Sequence, residues 1–235
     1  MIKKIELVGH LIVDKVFSGS ESYQTLGGIA NVWDSLTKLN SSYLININPT
    51  SIGEAIIVVS KETNERIGRA ILNKKTYGIG NIESDWCHIA YINQIHDLSF
   101  IDEIKSSFIS ADITKENPFV SDEILNKLDY LFISKEDLFD DIKSIGSKLK
   151  KGVICHDPKG SVFSDGNEIV EYKIPEELFI KNANVLGAGD SFASSFIDEI
   201  LKGNNNTLSV IENSHKKTTE LIKQNETNFT NTNGR

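Results

Sequence analysis

The chain has 235 residues, 39% of them hydrophobic and 25% charged, enough to bury a sizeable core within one large domain. Its net charge is −8 at pH 7 and its lysines and arginines form no run long enough to track a phosphate backbone, which argues against nucleic acid as a partner. No apolar segment approaches the roughly 20 residues of a membrane span, and two cysteines, Cys87 and Cys155, are too few for a disulfide framework and suggest a reducing cytoplasm.

Residues Lys4 to Phe17 are rich in Ile, Leu and Val and read as a buried strand running into Asp14. Glu6, His10 and Asp14 interrupt this run and no small-residue cleavage pattern follows, so it does not read as an export signal. The stretch from Ser18 to Thr25 is polar. Behind the pair Gly27-Gly28, the residues Ala30, Trp33, Leu36 and Leu39 recur at helical spacing. Ile45 and Ile47 alternate with Asn46 and Asn48 in a strand expected to end at Pro49. Two further strands are expected around a Thr63-Asn64 turn, within a small β-rich appendage from about Tyr43 to Leu72.

From Trp86 onward, short apolar runs alternate with longer polar stretches. The runs are "DWCHIAYI", "SFISAD", "YLFIS" and "GVICHD"; Ser121–Leu128 and Lys135–Lys150 read as helices between them. Strands alternating with helices predict βα units and a largely parallel sheet. Phe192, Phe196, Ile197, Ile200 and Leu201 mark one face of a later helix, with Gly203 as its stop. A last helix is expected from Leu208 to Lys223, followed by a frayed polar tail whose Asn225 and Asn228 lie in glycosylation-type triplets that carry no meaning without secretion. "GIGNIE" from Gly78 lacks the third glycine of a dinucleotide fingerprint and reads as a loop. The five histidines have no metal-ligand spacing; core packing explains His88 and His156, and either packing or the lining of a pocket explains His10.

The stretch Gly187-Ala188-Gly189-Asp190 carries the most chemistry. Small residues let a backbone approach a ligand, and a helix beginning near Asp190 adds unpaired N–H groups and the positive end of its dipole. Such a site suits a phosphoryl group, and a carboxylate at its edge can take the proton of an attacking hydroxyl. The competing reading makes Asp190 a helix N-cap worth about 1 kcal/mol.

"GAGDSF" resembles the second signature of the PfkB/ribokinase family of sugar and nucleoside kinases. "LGGIANV" resembles its first signature, and "VGHLIVD" its opening strand. The order agrees from Ile5 to about Lys223. The resemblance implies a ribokinase-like three-layer α/β fold with a mostly parallel central sheet, spanning 1–235 as one domain, and a small β-rich lid formed by about 15–26 and 43–75. It implies Asp190 as catalytic base, with the amides of Gly187, Ala188 and Gly189 as anion hole, and Asp14, Gly27, Gly28 and Asn31 around the acceptor hydroxyls. ATP and Mg2+ would be used, with Asp157, Gly160 and Asn213 on the nucleotide side and Asp137 toward the metal.

The implied activity is transfer of the γ-phosphoryl group of ATP to a hydroxyl of a small sugar-like acceptor in the cytoplasm, in a chain that pairs as a homodimer through the lid. The alternatives are a nucleoside or heptose-phosphate kinase, and a non-catalytic or regulatory sugar-binding relative. The departures from the family pattern concern the donor side: Asn184-Val185-Leu186 ahead of the glycines, Ser134-Lys135-Glu136-Asp137, the turn "CHDPKG", and a short connection between Leu39 and Gly53.

Overall fold

The computed structural model of the protein describes residues 2–60, 66–72, 78–114, 120–180 and 186–232. Its strands are β1 (Lys4–Ser18), β2 (Glu21–Gly28), β3 (Leu44–Val59), β4 (Arg66–Leu72), β5 (Glu83–Ile89), β6 (Lys105–Asp112), β7 (Tyr130–Ser134), β8 (Gly152–Asp157), β9 (Gly160–Ser164) and β10 (Ile169–Lys173). Its helices are α1 (Ile29–Leu39), α2 (Asp122–Leu125), α3 (Ile142–Gly146), α4 (Ala188–Leu201) and α5 (Thr207–Thr232). All ten strands form one sheet in the order β10-β9-β8-β7-β6-β5-β1-β3-β4, with β2 on the outer half of β1. Neighbours from β8 across to β3 run parallel; the pairs at the two ends, and β1 with β2, are antiparallel.

Strand β1 shows how the sequence writes this shape. From Ile5 to His10 every residue is buried, as in a central strand covered on both faces. From Leu11 onward burial alternates, because this half has left the covered sheet and keeps only one face inside. The change falls at a register shift between Gly9 and His10. A Cβ on Gly9 would lie 2.7 Å from Ile29 and 2.8 Å from the carbonyl of Ala90, so only glycine passes here. His10 ties the irregular point together, with Nδ1 3.0 Å from Thr50 Oγ1 and 2.9 Å from Ser51 Oγ, and Nε2 3.3 Å from the carbonyl of Gln94. Packing, the first of its two readings, is what it does.

The same shift corrects the expected end at Pro49. Strand β3 continues through it to Val59, since a bulge tolerates a residue that has no N–H to give the ladder. The outer halves of β1 and β3, with β2 and β4, form an extension around Ile12, Val16, Ala55 and Ile57. The polar stretch Ser18–Thr25 also needs correcting. It holds most of β2, whose polar residues stay exposed while its backbone pairs with β1 over eight positions. The Thr63-Asn64 turn lies outside the described residues.

On one face of the sheet α1, α4 and α5 bury Ile29, Leu36, Phe192, Phe196 and Ile211 against Ile5, Trp86 and Phe132. Phe196 meets Tyr130 and Phe132 edge-on at centroid distances of 5.1 and 5.4 Å. At about 0.5–1.5 kcal/mol per such pair, this clamp fixes α4 on the sheet. The other face is thinner. The helices expected at Ser121–Leu128 and Lys135–Lys150 shrink to α2, α3 and a 3₁₀ turn at Lys135–Asp137. Asp141 caps α3 by accepting from the amides of Lys143 and Ser144, and the helix stops at Gly146, whose Cβ would lie 2.5 Å from the carbonyl of Ser164. Helix α5 instead outruns its expected end and continues through the polar tail to Thr232. Strands β9 and β10 make an antiparallel edge after β8 that sequence periodicity did not reveal. No described helix is long and apolar enough to cross a membrane.

Candidate active site

Helix α4 begins at Ala188, two residues before Asp190, and its N-cap is Gly187 at φ 75°. No side chain caps it, so the cap reading of Asp190 is replaced. The carboxylate is buried, 5% exposed, and accepts hydrogen bonds from two side chains brought from elsewhere. Asn31 Nδ2 donates to Oδ2 at 2.8 Å, and the Tyr91 hydroxyl lies 3.2 Å from Oδ1 and 3.5 Å from Oδ2. Asn31 reaches it because α1 packs closely on α4 through small residues. The hydroxyls of Ser35 and Ser191 meet at 3.1 Å, and Ser194 Oγ donates to the carbonyls of Asp190 and Val32 at 2.7 and 3.3 Å.

The glycine pair before α1 has an equally local cause. Gly28 has φ 62°, and a Cβ on it would lie 2.1 Å from the carbonyl of His10. A Cβ on Gly27 would lie 2.3 Å from Asp14 Oδ2, so this glycine rests directly on the buried carboxylate of β1. Asp14, Gly28, Asn31, Tyr91, Gly187 and Asp190 therefore share one cavity of about 510 Å³, with Asp112, Glu136 and Asp137 also in its wall. Five of its lining side chains are carboxylates, and among the described lining residues none is Lys or Arg. Positive potential there comes from the first turn of α4, whose leading N–H groups have no intrahelical acceptor.

A second cavity of about 810 Å³ opens on the other side of that helix end. Ile174, Leu178, Phe179, Phe192 and Ile222 give it apolar walls, with Thr218, Thr219 and Asp157 at polar points. The two cavities share Ser134, Glu136, His156 and Gly189. His156 lies under the start of α4, where a Cβ on Gly189 would be 3.3 Å from its ring. Burial pushes His156 down to about 4, with Asp112 and Asp157 opposing, so its imidazole is neutral at pH 7. Burial does the same to His215, also to about 4.

Most of the expected site residues thus converge. Asp137 lines the first cavity and Asp157 the second, where Lys135 Nζ stands 3.5 Å from Asp157 Oδ2. Two lie apart. Asn213 donates to Glu199 Oε2 at 2.9 Å, within an ion cluster with Lys217, and lines neither cavity. Gly160 sits in β9, where a Cβ would lie 2.0 Å from the carbonyl of Tyr172, so strand packing accounts for it. Asn184 and Val185 lie outside the described residues. Tyr91 escaped the sequence reading. The available signal was its place just past the C-terminal end of a parallel strand, where ligands of α/β sheets gather.

No protein-family model and no curated protein matches the chain. Solved structures do. Adenosine kinase from Sinorhizobium meliloti has a TM-score of 0.75 at 11% identity, covering 95% of each chain. Ribokinase from Thermotoga maritima scores 0.67 at 17% identity over 95% of this chain and 100% of that one. A pyrophosphate-dependent kinase in the ribokinase family scores 0.69 at 14% identity over 93% and 95%. Together with the mostly parallel sheet and the helices packed on it, these likenesses identify the fold as that of the ribokinase family.

Proposed function

We propose that the protein is a kinase that transfers the γ-phosphoryl group of ATP to a hydroxyl of a small carbohydrate, with Asp190 as the base. The observation that carries this reading is the buried Asp190 carboxylate on the first turn of α4, where a polar cavity and an apolar groove meet. The polar cavity takes the acceptor: Asp14 and Asn31 suit hydroxyls, which need acceptors and donors in fixed directions. Asp190 removes the proton of the attacking hydroxyl as its oxygen bonds to the γ-phosphorus, and the bond to the bridging oxygen of ADP breaks. The amides of Gly187, Ala188 and Gly189 face the negative charge of the group in flight. Positioning supplies most of the rate, so an ordinary carboxylate suffices as base.

The donor is a nucleotide, because the groove is walled by Leu178, Phe179, Phe192 and Ile222, which suit a purine ring and offer little to a bare pyrophosphate. Among the described residues no group of three metal-ligating side chains gathers. Mg2+ fits nonetheless as a chelate of the phosphates, with Glu136 and Asp137 as the available carboxylates. When bound, it neutralises phosphate charge. The acceptor is uncharged, a sugar or a nucleoside, since a heptose phosphate or similar would face Asp14, Asp112 and Asp190 with no cation among the described lining residues.

The extension of β1–β4 serves as a lid that keeps water from the nucleotide. Its outer face exposes Phe17, Ile56, Val58, Ile67 and Ile71 and is the face through which two copies pair.

A panel of neutral sugars, nucleosides and sugar phosphates, assayed for ADP release with Mg-ATP, tests the reading. Transfer to a neutral acceptor, lost in Asp190→Asn while acceptor binding persists, supports it. Wild-type rates in that variant remove Asp190 as base. Faster transfer from pyrophosphate than from ATP removes the nucleotide donor. Acceptor binding with no transfer from any donor favours a regulatory sugar-binding protein.

A further inference from the structure

We propose that Tyr91 is a positioning residue that aims the Asp190 carboxylate at the acceptor hydroxyl, and that Asp112 holds Tyr91 in the conformation that does so; this rests on the kinase reading above. Tyr91 has φ 54° and ψ 51°, the one non-glycine residue with positive φ among those described. A left-handed tyrosine is strained, so something must hold it there. Two contacts do. The Tyr91 amide donates to Asp112 Oδ1, and its carbonyl accepts from the amide of Gln94 at 2.9 Å.

Asp112 is itself backed by a buried chain. His88, with no exposed surface, brings Nε2 to 3.5 Å from Asp112 Oδ2, and that nitrogen has no hydrogen-bond partner of good geometry. The other ring nitrogen, Nδ1, is 2.9 Å from Ser110 Oγ, which accepts from Trp86 Nε1 at 2.8 Å. An indole N–H can only donate, which leaves the serine proton for Nδ1 and puts the imidazole proton on Nε2, facing the carboxylate. Trp86 and His88 on β5, with Ser110 and Asp112 on β6, are alternate residues on one face, with His88 directly opposite Ser110. The chain of contacts runs from the core to the base.

At its end, Asn31 holds Oδ2 of Asp190 and Tyr91 holds Oδ1. A carboxylate torsion is otherwise a broad rotor. Donors on both oxygens fix its plane, and with it the direction in which the carboxylate faces the cavity.

Tyr91→Phe keeps the ring and removes the hydroxyl. Its kcat is expected to fall about tenfold, with the KM values for ATP and acceptor within about twofold, since the contact serves the reacting geometry and not binding. In the free protein, the 13C carboxyl titration of Asp190, assigned by its absence in Asp190→Asn, is expected to move upward, because a hydrogen bond to the ionised form has gone. Asp14, Asn31, Asp112, Glu136, Asp137 and His156 face the same cavity in both proteins, so the shift reads the hydroxyl alone. Asp112→Ala is expected to lose kcat similarly and to add little to Tyr91→Phe in the double variant.

An unmoved Asp190 titration overturns the contact. A moved titration with unchanged kcat overturns the positioning role, and fully additive losses overturn the part given to Asp112. If Asp112→Ala does not fold, Asp112→Asn decides that part: its amide oxygen can still accept from the Tyr91 amide, so kcat within about twofold of wild type supports the role and a loss of about tenfold overturns it. A wild type silent with every acceptor removes the kinase reading and the role in transfer, while the titration still decides the contact.

Discussion

The two cavities that meet at the start of α4 are built in opposite ways. The acceptor cavity is set by direction. Asp14, Asn31, Tyr91 and Asp190 come from β1, α1, the end of β5 and α4, and Asp190 is gripped from both sides. The second cavity is set by shape. Its deeper walls are apolar side chains of β10's exit, a short 3₁₀ turn, α4 and α5, with polar groups such as Lys135, Asp157 and Thr218 also in its lining. A single misplaced atom should therefore disable the first, whereas the second should lose affinity gradually as wall area is removed.

The strongest way to break this contrast is Asp190→Asn, expected to lower turnover by at least about 10³-fold, near the upper range for a general base. Acceptor affinity should change by less than about threefold, read by calorimetry, because Asn31 and Asp14 remain. Next comes Gly27→Ala. The added methyl meets Asp14 Oδ2 at 2.3 Å and must displace that carboxylate. Losing one charge-assisted hydrogen bond to a hydroxyl costs about 2 kcal/mol, or about 30-fold in acceptor KM. The KM for ATP should not move. A rise in both would mean that the cavities are one mechanical unit.

The same contrast decides what was legible in the sequence. Gly28 and Gly187 could be read because their requirement is local, a positive φ that excludes other residues, and Gly27 stands beside Gly28 where a side chain would meet the Asp14 carboxylate. Asn31 and Asp190 travel with those glycines. The βα alternation after Trp86 gave strands β5 to β8 for a similarly local reason, continuous apolar runs between polar ones. Tyr91 was hidden because nothing in its own segment favours a left-handed tyrosine; the cause is Asp112, 21 residues away. Strand β2 was hidden by its exposed polar face, and the run of β3 through Pro49 by a bulge that exists only in the paired sheet. Asn213 was drawn to the groove by family position, but its amide donates to Glu199, which is itself paired with Lys217, and that hydrogen bond holds it elsewhere.

On the donor side, Phe179→Ala sharpens the comparison. Phe179 is 45% exposed and lines the groove, so its removal should leave the melting temperature unchanged. Ring stacking on a base contributes about 1–3 kcal/mol by alanine substitution, and the lower end corresponds to a rise in the KM for ATP of about fivefold. The kcat and the acceptor KM should hold. A loss of kcat would show that this wall also orients the phosphates.

A further effect, read in stability and not in turnover, is a pH dependence that arises at the donor wall. His215 is buried against Phe192, with a centroid distance of 4.6 Å, and its Nε2 is 2.7 Å from Ser161 Oγ. Burial, reinforced by His156, lowers it from 6.5 to about 4 in the folded protein. Above pH 6.5 both folded and unfolded states carry it neutral, and it contributes nothing to the pH dependence. Below 6.5 the unfolded chain takes up a proton that the folded chain refuses until about pH 4, so stability falls with acid across that window. At pH 5 the loss from this one group is about 2 kcal/mol, at 1.36 kcal/mol per pH unit. Denaturant unfolding of the nucleotide-free protein at pH 7 and pH 5 should show a smaller drop for His215→Gln than for wild type. Equal drops in the two proteins would place the acid sensitivity elsewhere, with His156 next in line, since burial also brings it down to about 4 and its window is the same.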